Sequence, residues 1–385
     1  MFTVFFGLFV MAASCYLLFI TSEPLEKIGG HLGRLLRLPE DVIASTFQAL
    51  ATSGPEIVMA ILAATPFVAN EAWASLQVGE RACSGCLNMC FSAMDNLVGI
   101  GCVGMIFLLY RKSAEPNEVI KVEPSVIVGL IFYLVSSTLL CLFLTTSLRT
   151  SLIDGRTVLA SSITEWQAWV LMSIGICYIA IQFFVPGWLA AKQQDSASMS
   201  GDSKNPSSSE GDNDDDDDAI AQPTSVNGWL WNLFKFGFFY SFLVFALVIF
   251  VRECLSATFD IATIGFASVG GIILMFTSYV SSFPEFMMTY RYAIAEKKSA
   301  LLGMLFGSNV IDLAFAGFRA IWLHSPMDVY TTGKMQELFP YYLWCLPVLA
   351  CLSLLGLTTG KFKYKHAYPL LFFYVIYIVS GFLLL

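Results

Sequence analysis

Charge is scarce in this chain. Only 13% of its 385 residues are Asp, Glu, Lys or Arg, about half the share carried by ordinary soluble domains. That shortage excludes a water-exposed surface over most of the length. Histidine is scarcer still: His31, His324 and His366 are the only three, each in or beside a loop. No imidazole is left for a mid-chain zinc or copper centre. No Gly-x-Ser-x-Gly elbow and no histidine pair occur, which argues against a membrane-embedded hydrolase and reads the chain as a non-enzyme. EF-hand spacing is missing as well, and nothing points to nucleic acid or to an obligate protein partner. The first apolar run has no basic flank and no convincing cleavage site, so it reads as a retained span rather than a signal peptide.

What the chain has instead is apolar length. Hydrophobic residues make up 57% of it, and runs long enough to cross a bilayer core of about 30 Å recur throughout. Ten such runs fall near 2–20, 41–67, 88–110, 125–146, 166–187, 229–251, 268–292, 299–321, 338–357 and 368–385. The expected fold is an all-α, integral multi-pass membrane protein of ten transmembrane helices, of the plasma membrane or an endomembrane. Basic residues collect in the loops holding Arg34, Arg37, Arg111, Lys112, Lys121, Lys297, Lys298, Lys361 and Lys363, which places those loops on the cytoplasmic side. Residues 191–228 include a Ser/Asp-rich run ending in Asp214–Asp218. It is too polar to pack and reads as a disordered cytoplasmic linker. This linker divides a first five-helix half, 1–190, from a second, 229–385. Cys83, Cys86 and Cys90 fall in the expected outer loop between the second and third spans, where a disulfide is the leading reading; the scattered cysteines of the spans need no role beyond packing.

Two stretches break the apolar pattern in the same way. "LATSGPEIVM" at 50–59 and "YVSSFPEFMM" at 279–288 each put Pro-Glu inside a span, 229 residues apart. Thr52, Ser53, Pro55 and Glu56 thus correspond to Ser281, Ser282, Pro284 and Glu285. The following span in each half carries a polar pair four residues apart, Ser92 with Asn96 and Ser308 with Asp312. An odd number of spans per half turns the second half upside down relative to the first, the inverted-repeat arrangement of many secondary transporters. One Pro-Glu alone also fits a helix-end glutamate reaching to water; a second copy with its own polar pair argues against that.

Positions i, i+3 and i+4 share a helix face, so each glutamate lines up with the hydroxyls before it. Each proline lacks an N–H and frees the carbonyl four residues back, Ala51 and Val280, which at membrane depth needs a cation or water to satisfy it. Carboxylate, hydroxyl, amide and carbonyl oxygens are hard ligands suited to calcium, sodium or magnesium. Glu56, Glu285 and Asp312 supply three negative charges when ionised; one calcium or three sodium ions offset most or all of them. Competition for shared ligands then suffices for coupled exchange, because a bare acidic cluster crosses a dry barrier poorly. Asp95, three residues after Ser92, complicates this tally.

On these residues the chain resembles the sodium/calcium exchanger family of the cation/calcium antiporter superfamily. "LGRLLRLPEDVIASTFQALATSGPEI" looks like its first repeat, here about 28–110, and "GSNVIDL" is similar to the Gly-Ser-Asn-x-x-Asp/Asn element of its second, about 262–325. The resemblance implies that Glu56 and Glu285 bind calcium and sodium, that Thr52, Ser53, Ser281, Ser282, Ser92 and Ser308 add sodium-site oxygens, and that Asn96 and Asp312 complete the ligand set. It implies alternating access, with the first and sixth spans sliding against the second, third, seventh and eighth. Aspartate at 312 is similar to the potassium-dependent branch, making potassium a further candidate passenger. The ions are cargo; no cofactor is expected. Departures are Ala51 and Val280 where the family has glycine, and "FSAMDN" in place of a Gly-Ser element. The alternatives are a proton-driven calcium antiporter or a magnesium antiporter on the same fold, and a cation channel, which would usually draw like residues from several subunits.

Overall fold

The computed structural model describes residues 38–60 (without 55, 58 and 59), 78–153, 156–199, 278–330 (without 280) and 335–384, with isolated positions at 16, 227 and 231. The expected spans at 2–20 and 229–251, and the acidic run beyond residue 199, otherwise lie outside the described residues.

Within them the chain is overwhelmingly helical. In chain order come α1 (Glu40–Ile43), a π-helical turn (Ala44–Gln48) and α2 (Ala49–Thr52). Then follow α3 (Val78–Met94), a second π-helical turn (Asp95–Ile100), α4 (Gly101–Tyr110) and α5 (Pro124–Thr146). A hairpin of β1 (Arg149–Ile153) and β2 (Arg156–Ile163) leads to α6 (Glu165–Met199). The later part holds α7 (Phe283–Ile294), α8 (Lys298–Phe315), α9 (Phe318–Trp322), β3 (Met327–Tyr330), α10 (Met335–Thr358) and α11 (Ala367–Leu384). Four stretches are long and apolar enough to cross a membrane: Cys86–Tyr110, Pro124–Thr146, Glu165–Phe184 and Lys298–Trp322.

Helix limits follow local chemistry. Pro124 opens α5 at its first turn, where a missing N–H costs nothing. Four helices end in a left-handed residue, Lys112, Glu296, His324 and Gly360, and each time the next N–H reaches back five residues to close the last turn, as Ser113 does to Leu108 and Lys297 to Tyr292.

Two faces of the bundle are distinct. On one, β2 pairs antiparallel with both β1 and β3, matching Ala160 to Arg149 on one side and to Tyr330 on the other. The strands were not expected from the sequence, and they join a hairpin of the first half to a strand of the second. The opposite face gathers the loops after α4, α7 and α10. There Lys298 pairs with Glu118 at 3.1 Å, Ser113 donates to Glu296, and Val119 bridges Lys363. Glu118 is held below the ordinary carboxylate range, first by the Glu115 N–H and then by Lys298. These are loops that the basic residues group on one side.

The direction of the broken helices follows from those faces. Asp41, at the start of α1, accepts a bond from Ser125 at the start of α5, on the loop face. From there the chain climbs toward Glu56. In the second half the chain passes Glu285 and descends to end at the loop face by Lys297. The two Pro-Glu segments therefore run in opposite directions.

At the centre lies α8. Of the apolar window of Lys298–Trp322, 89% is buried, against 44% for Pro124–Thr146 and 33% for Glu165–Phe184, which leaves the latter two to line the periphery. Gly303 and Gly307, four residues apart, let α8 approach the first π-helical turn closely. A Cβ on Gly307 would lie 2.1 Å from the Ser45 carbonyl oxygen, and one on Gly303 3.1 Å from that of Asp41.

Two expectations are revised. The third span is helical from Val78, ten residues before its apolar run, and this helix packs against β3. The supposed cysteine loop is therefore helix: Cys86 and Cys90 are buried free thiols one turn apart on it, and the side chain of Cys83 lies outside the described residues. In addition α6 continues to Met199, carrying helix into the stretch read as linker.

The glycine contact yields a test. Gly307→Ala should destabilise the protein by about 1–3 kcal/mol or more, since rigid backbone opposes the new methyl, and Gly303→Ala by less. Thermal unfolding of the purified protein in detergent measures both; a Gly307→Ala variant as stable as the parent would contradict the close packing.

Candidate cation site

All ten residues singled out from the sequence converge on the interior. Thr52, Ser53, Glu56, Ser92, Asn96, Ser281, Ser282, Glu285, Ser308 and Asp312 are each no more than 1% exposed. Two broken helices bring them there. The first stops at Thr52, with Ser53 at φ −73°, ψ 1°. The second restarts at Phe283 after Ser282 at φ −80°, ψ 5°. Both serines hold the sparsely populated region between helix and turn, and Glu285 occupies the first turn of α7, where the helix dipole favours an anion.

Two serines act as hubs. Ser92 donates to Glu56 Oε1 at 3.1 Å, lies 2.7 Å from the Ser282 hydroxyl, and reaches Asp312 Oδ2 at 3.4 Å. Ser308 donates to Glu285 Oε1 at 2.8 Å, lies 2.6 Å from the Ser53 hydroxyl, and receives Asn96 Nδ2 at 3.4 Å. Every partner of one hub is the repeat counterpart of a partner of the other. Each hub takes its glutamate from its own half, and its second serine and its amide or acid from the other half.

The electrostatics are one-sided. Glu285 and Asp312 both act on Glu56, and Glu285 on Asp312, with only hydroxyls and amides between them. One serine proton cannot satisfy two carboxylates at once. As a result, Glu56 Oε2, Glu285 Oε2, Asp312 Oδ1 and Asn96 Oδ1 are buried with no hydrogen-bond partner among the described residues. Four acceptors so placed, with no cationic side chain paired to them among the described residues, form an expensive arrangement in a dry interior. Oxygens of this kind fit a hard cation. Among the described residues no three Asp, Glu, His or Cys side chains converge tightly enough to hold a metal by themselves, so the hydroxyls and amides are needed to complete any shell.

Some polar residues of the region escaped the sequence reading. Asn88, 1% exposed, donates to Ser281 Oγ at 3.2 Å; its place one turn before Ser92 was the available signal. Asn309 donates to the Ala93 carbonyl at 3.0 Å and joins α8 to α3. Asp95, flagged by its position, turns out to accept from Ser278 and from Tyr374, 279 residues away in sequence; no local pattern foretells the tyrosine.

Comparison with known proteins bears on the fold. Residues 6–184 match the family model described as sodium/calcium exchanger protein. No curated relative matches the chain by sequence. Among solved structures the chain is similar to the sodium-calcium exchanger NCX_Mj soaked with 100 mM Na+ and 10 mM Sr2+, with a TM-score of 0.65 at 15% identity, covering 98% of this chain and 99% of that one. The same exchanger soaked with 2.5 mM Na+ and 0.1 mM Sr2+ gives 0.64 at 17% identity over the same shares, and soaked with 10 mM Na+ and zero Ca2+ gives 0.62 at 18%. At such identities the likeness is one of fold.

Relief of repulsion gives a prediction. In chelator and without sodium, Glu56→Gln and Asp312→Asn should each unfold at a higher temperature than the parent, because a neutral amide of like shape removes one buried charge and adds a donor. Lower stability of both variants under those conditions would contradict the crowded-carboxylate description.

Proposed function

We propose that this chain, whose residues 6–184 match the sodium/calcium exchanger model and whose fold is similar to that of the exchanger NCX_Mj, is a member of that family and exchanges calcium for sodium across a membrane by alternating access. Glu56, Glu285, Asp312 and Asn96 supply the oxygens for calcium; Thr52, Ser53, Ser92, Ser281, Ser282 and Ser308 extend the shell for sodium. The observation that carries this reading is the quartet of orphaned buried oxygens, one each from Glu56, Glu285, Asp312 and Asn96, contributed by both halves.

The mechanism follows from charge and ligand sharing. Calcium satisfies the acidic oxygens with two charges at one place; sodium ions do so with single charges spread over the hydroxyl positions. Both draw on Glu56 and Glu285, so occupancy by one displaces the other. The unoccupied acidic site is penalised in crossing a low-dielectric barrier, which couples the return step to a counter-ion. In this reading the chain is organised as five spans, a cytoplasmic linker at 191–228, and five spans inverted, with the first and sixth spans moving against the core described above. An asymmetric set of ligands from one chain favours a carrier over a pore ringed by several subunits.

The test is calcium uptake into proteoliposomes with sodium, potassium and proton gradients imposed one at a time. A sodium gradient should drive uptake; uptake driven by protons alone would favour the proton-coupled reading. Glu56→Gln and Glu285→Gln should each cut exchange to background in folded protein, and normal flux in either would remove the shared site. Asp312→Asn decides potassium: in a potassium-coupled carrier it should weaken the potassium response, and a parent without any potassium response rules that passenger out.

A further inference from the structure

The two hubs are alike, but the helix breaks beside them are not held alike. Ser278 and Ser281 form the turn before the second break, on the sheet side of Glu285. Their counterparts before the first break are Ala49 and Thr52, on the loop side of Glu56. Thr52 donates to the Ala49 carbonyl within its own helix at 3.1 Å, and Ala49 has no side-chain donor. Ser281 repeats that bond to the Ser278 carbonyl at 3.0 Å, but Ser278 also donates across to Asp95 Oδ2 at 2.8 Å, and Ser281 accepts from Asn88.

Asp95 is itself tied down from a third side. Tyr374 of α11 donates to Asp95 Oδ1 at 2.5 Å and to the Tyr279 hydroxyl at 2.7 Å, which its single proton serves in alternation. Space for the tyrosine comes from Gly99 in the same π-helical turn as Asp95: a Cβ there would fall 2.8 Å from the Tyr374 ring. Asp95 is 2% exposed, Ser278 1% and Tyr374 8%. The position matching Asp95 in the second half is Ile311, and Met304 matches Asn88. Among the described residues this polar strut thus exists on one side of the site only.

We propose that Asp95 is a positioning residue for the sheet-side half of the cation site, acting through Ser278, with Tyr374 as its anchor. The Asp95 carboxylate accepts from Ser278 and Tyr374, neither of them a candidate ligand named above. Its bond sets the last helical turn before the break and so the direction in which Ser281 and Ser282 present their hydroxyls. Hydroxyl-rich positions hold sodium, whereas calcium binding is dominated by the carboxylates, so the strut bears on sodium and on one face. This inference rests on the exchange reading above.

The experiment measures sodium half-activation of calcium flux from each face in oriented membrane vesicles, with calcium and sodium titrations of thermal stability on purified protein. Asp95→Asn and Ser278→Ala should each raise the sheet-side sodium requirement about three- to tenfold, the equivalent of one charge-assisted hydrogen bond lost in part. The opposite face and the calcium titration should stay near parent values, and the double variant should be no worse than Asp95→Asn alone. Tyr374→Phe, which keeps the ring in place, should shift the same quantity less, and it decides the matter if Asp95→Asn does not fold. Equal shifts at both faces, a parallel loss of calcium affinity, or parent-like sodium behaviour in folded variants would overturn the proposal. If the parent moves no calcium at all, the exchange reading fails; a parent-like sodium titration of Asp95→Asn would then overturn this one separately.

Discussion

Unpaired negative oxygen in a medium without water is the constraint around which this molecule is arranged. Three carboxylates and an amide keep one acceptor each without a donor, and a soluble protein would place arginine or lysine opposite them. Here the neighbours are hydroxyls whose protons are already shared. Such a cluster is tolerable when a mobile cation serves as its counter-charge, and the surrounding fold reads as the means of keeping that role open. Helices broken at Ser53 and Ser282 put polar backbone beside the acids, and α8 at the centre excludes lipid from them.

Rigidity is distributed unevenly to match. Where α8 meets the first π-helical turn, Gly303 and Gly307 let backbone approach backbone, so that spacing cannot be altered by a rotamer change. The sheet binds the two halves on one face, and the Glu118–Lys298 pair with its neighbouring contacts does so on the other. Between these ties the hubs join one half to the other through the hydroxyls of Ser92 and Ser308, with the Ser308 carbonyl also accepting from Ser53.

How far the sequence foretold this depends on the range of the interactions. The repeated Pro-Glu, with its trailing Ser-Asn and Ser-Asp pairs, was legible because helix periodicity turns spacing into a shared face; all ten residues picked on that ground are buried together. Membrane helices at 125–146 and 299–321 were legible from apolar length, and the structure has them at Pro124–Thr146 and Lys298–Trp322. Less came from the polar start of the third span. Val78–Cys86 carries too little hydrophobicity to announce a helix. The sheet has no alternating pattern that separates it from a loop, and Tyr374 finds Asp95 across 279 residues. Cysteine spacing misled, since three thiols spaced three and four residues apart suit a loop disulfide as readily as a helix interior.

The hub arrangement bears on kinetics. Ser92 has one hydroxyl proton and two carboxylates within reach, Glu56 and Asp312. A turn about a single C–O bond transfers its favour from one acid to the other, and torsions of that sort relax in picoseconds to nanoseconds. The hydroxyl can accordingly serve either acid with no displacement of main chain, a switch far faster than any travel of whole helices.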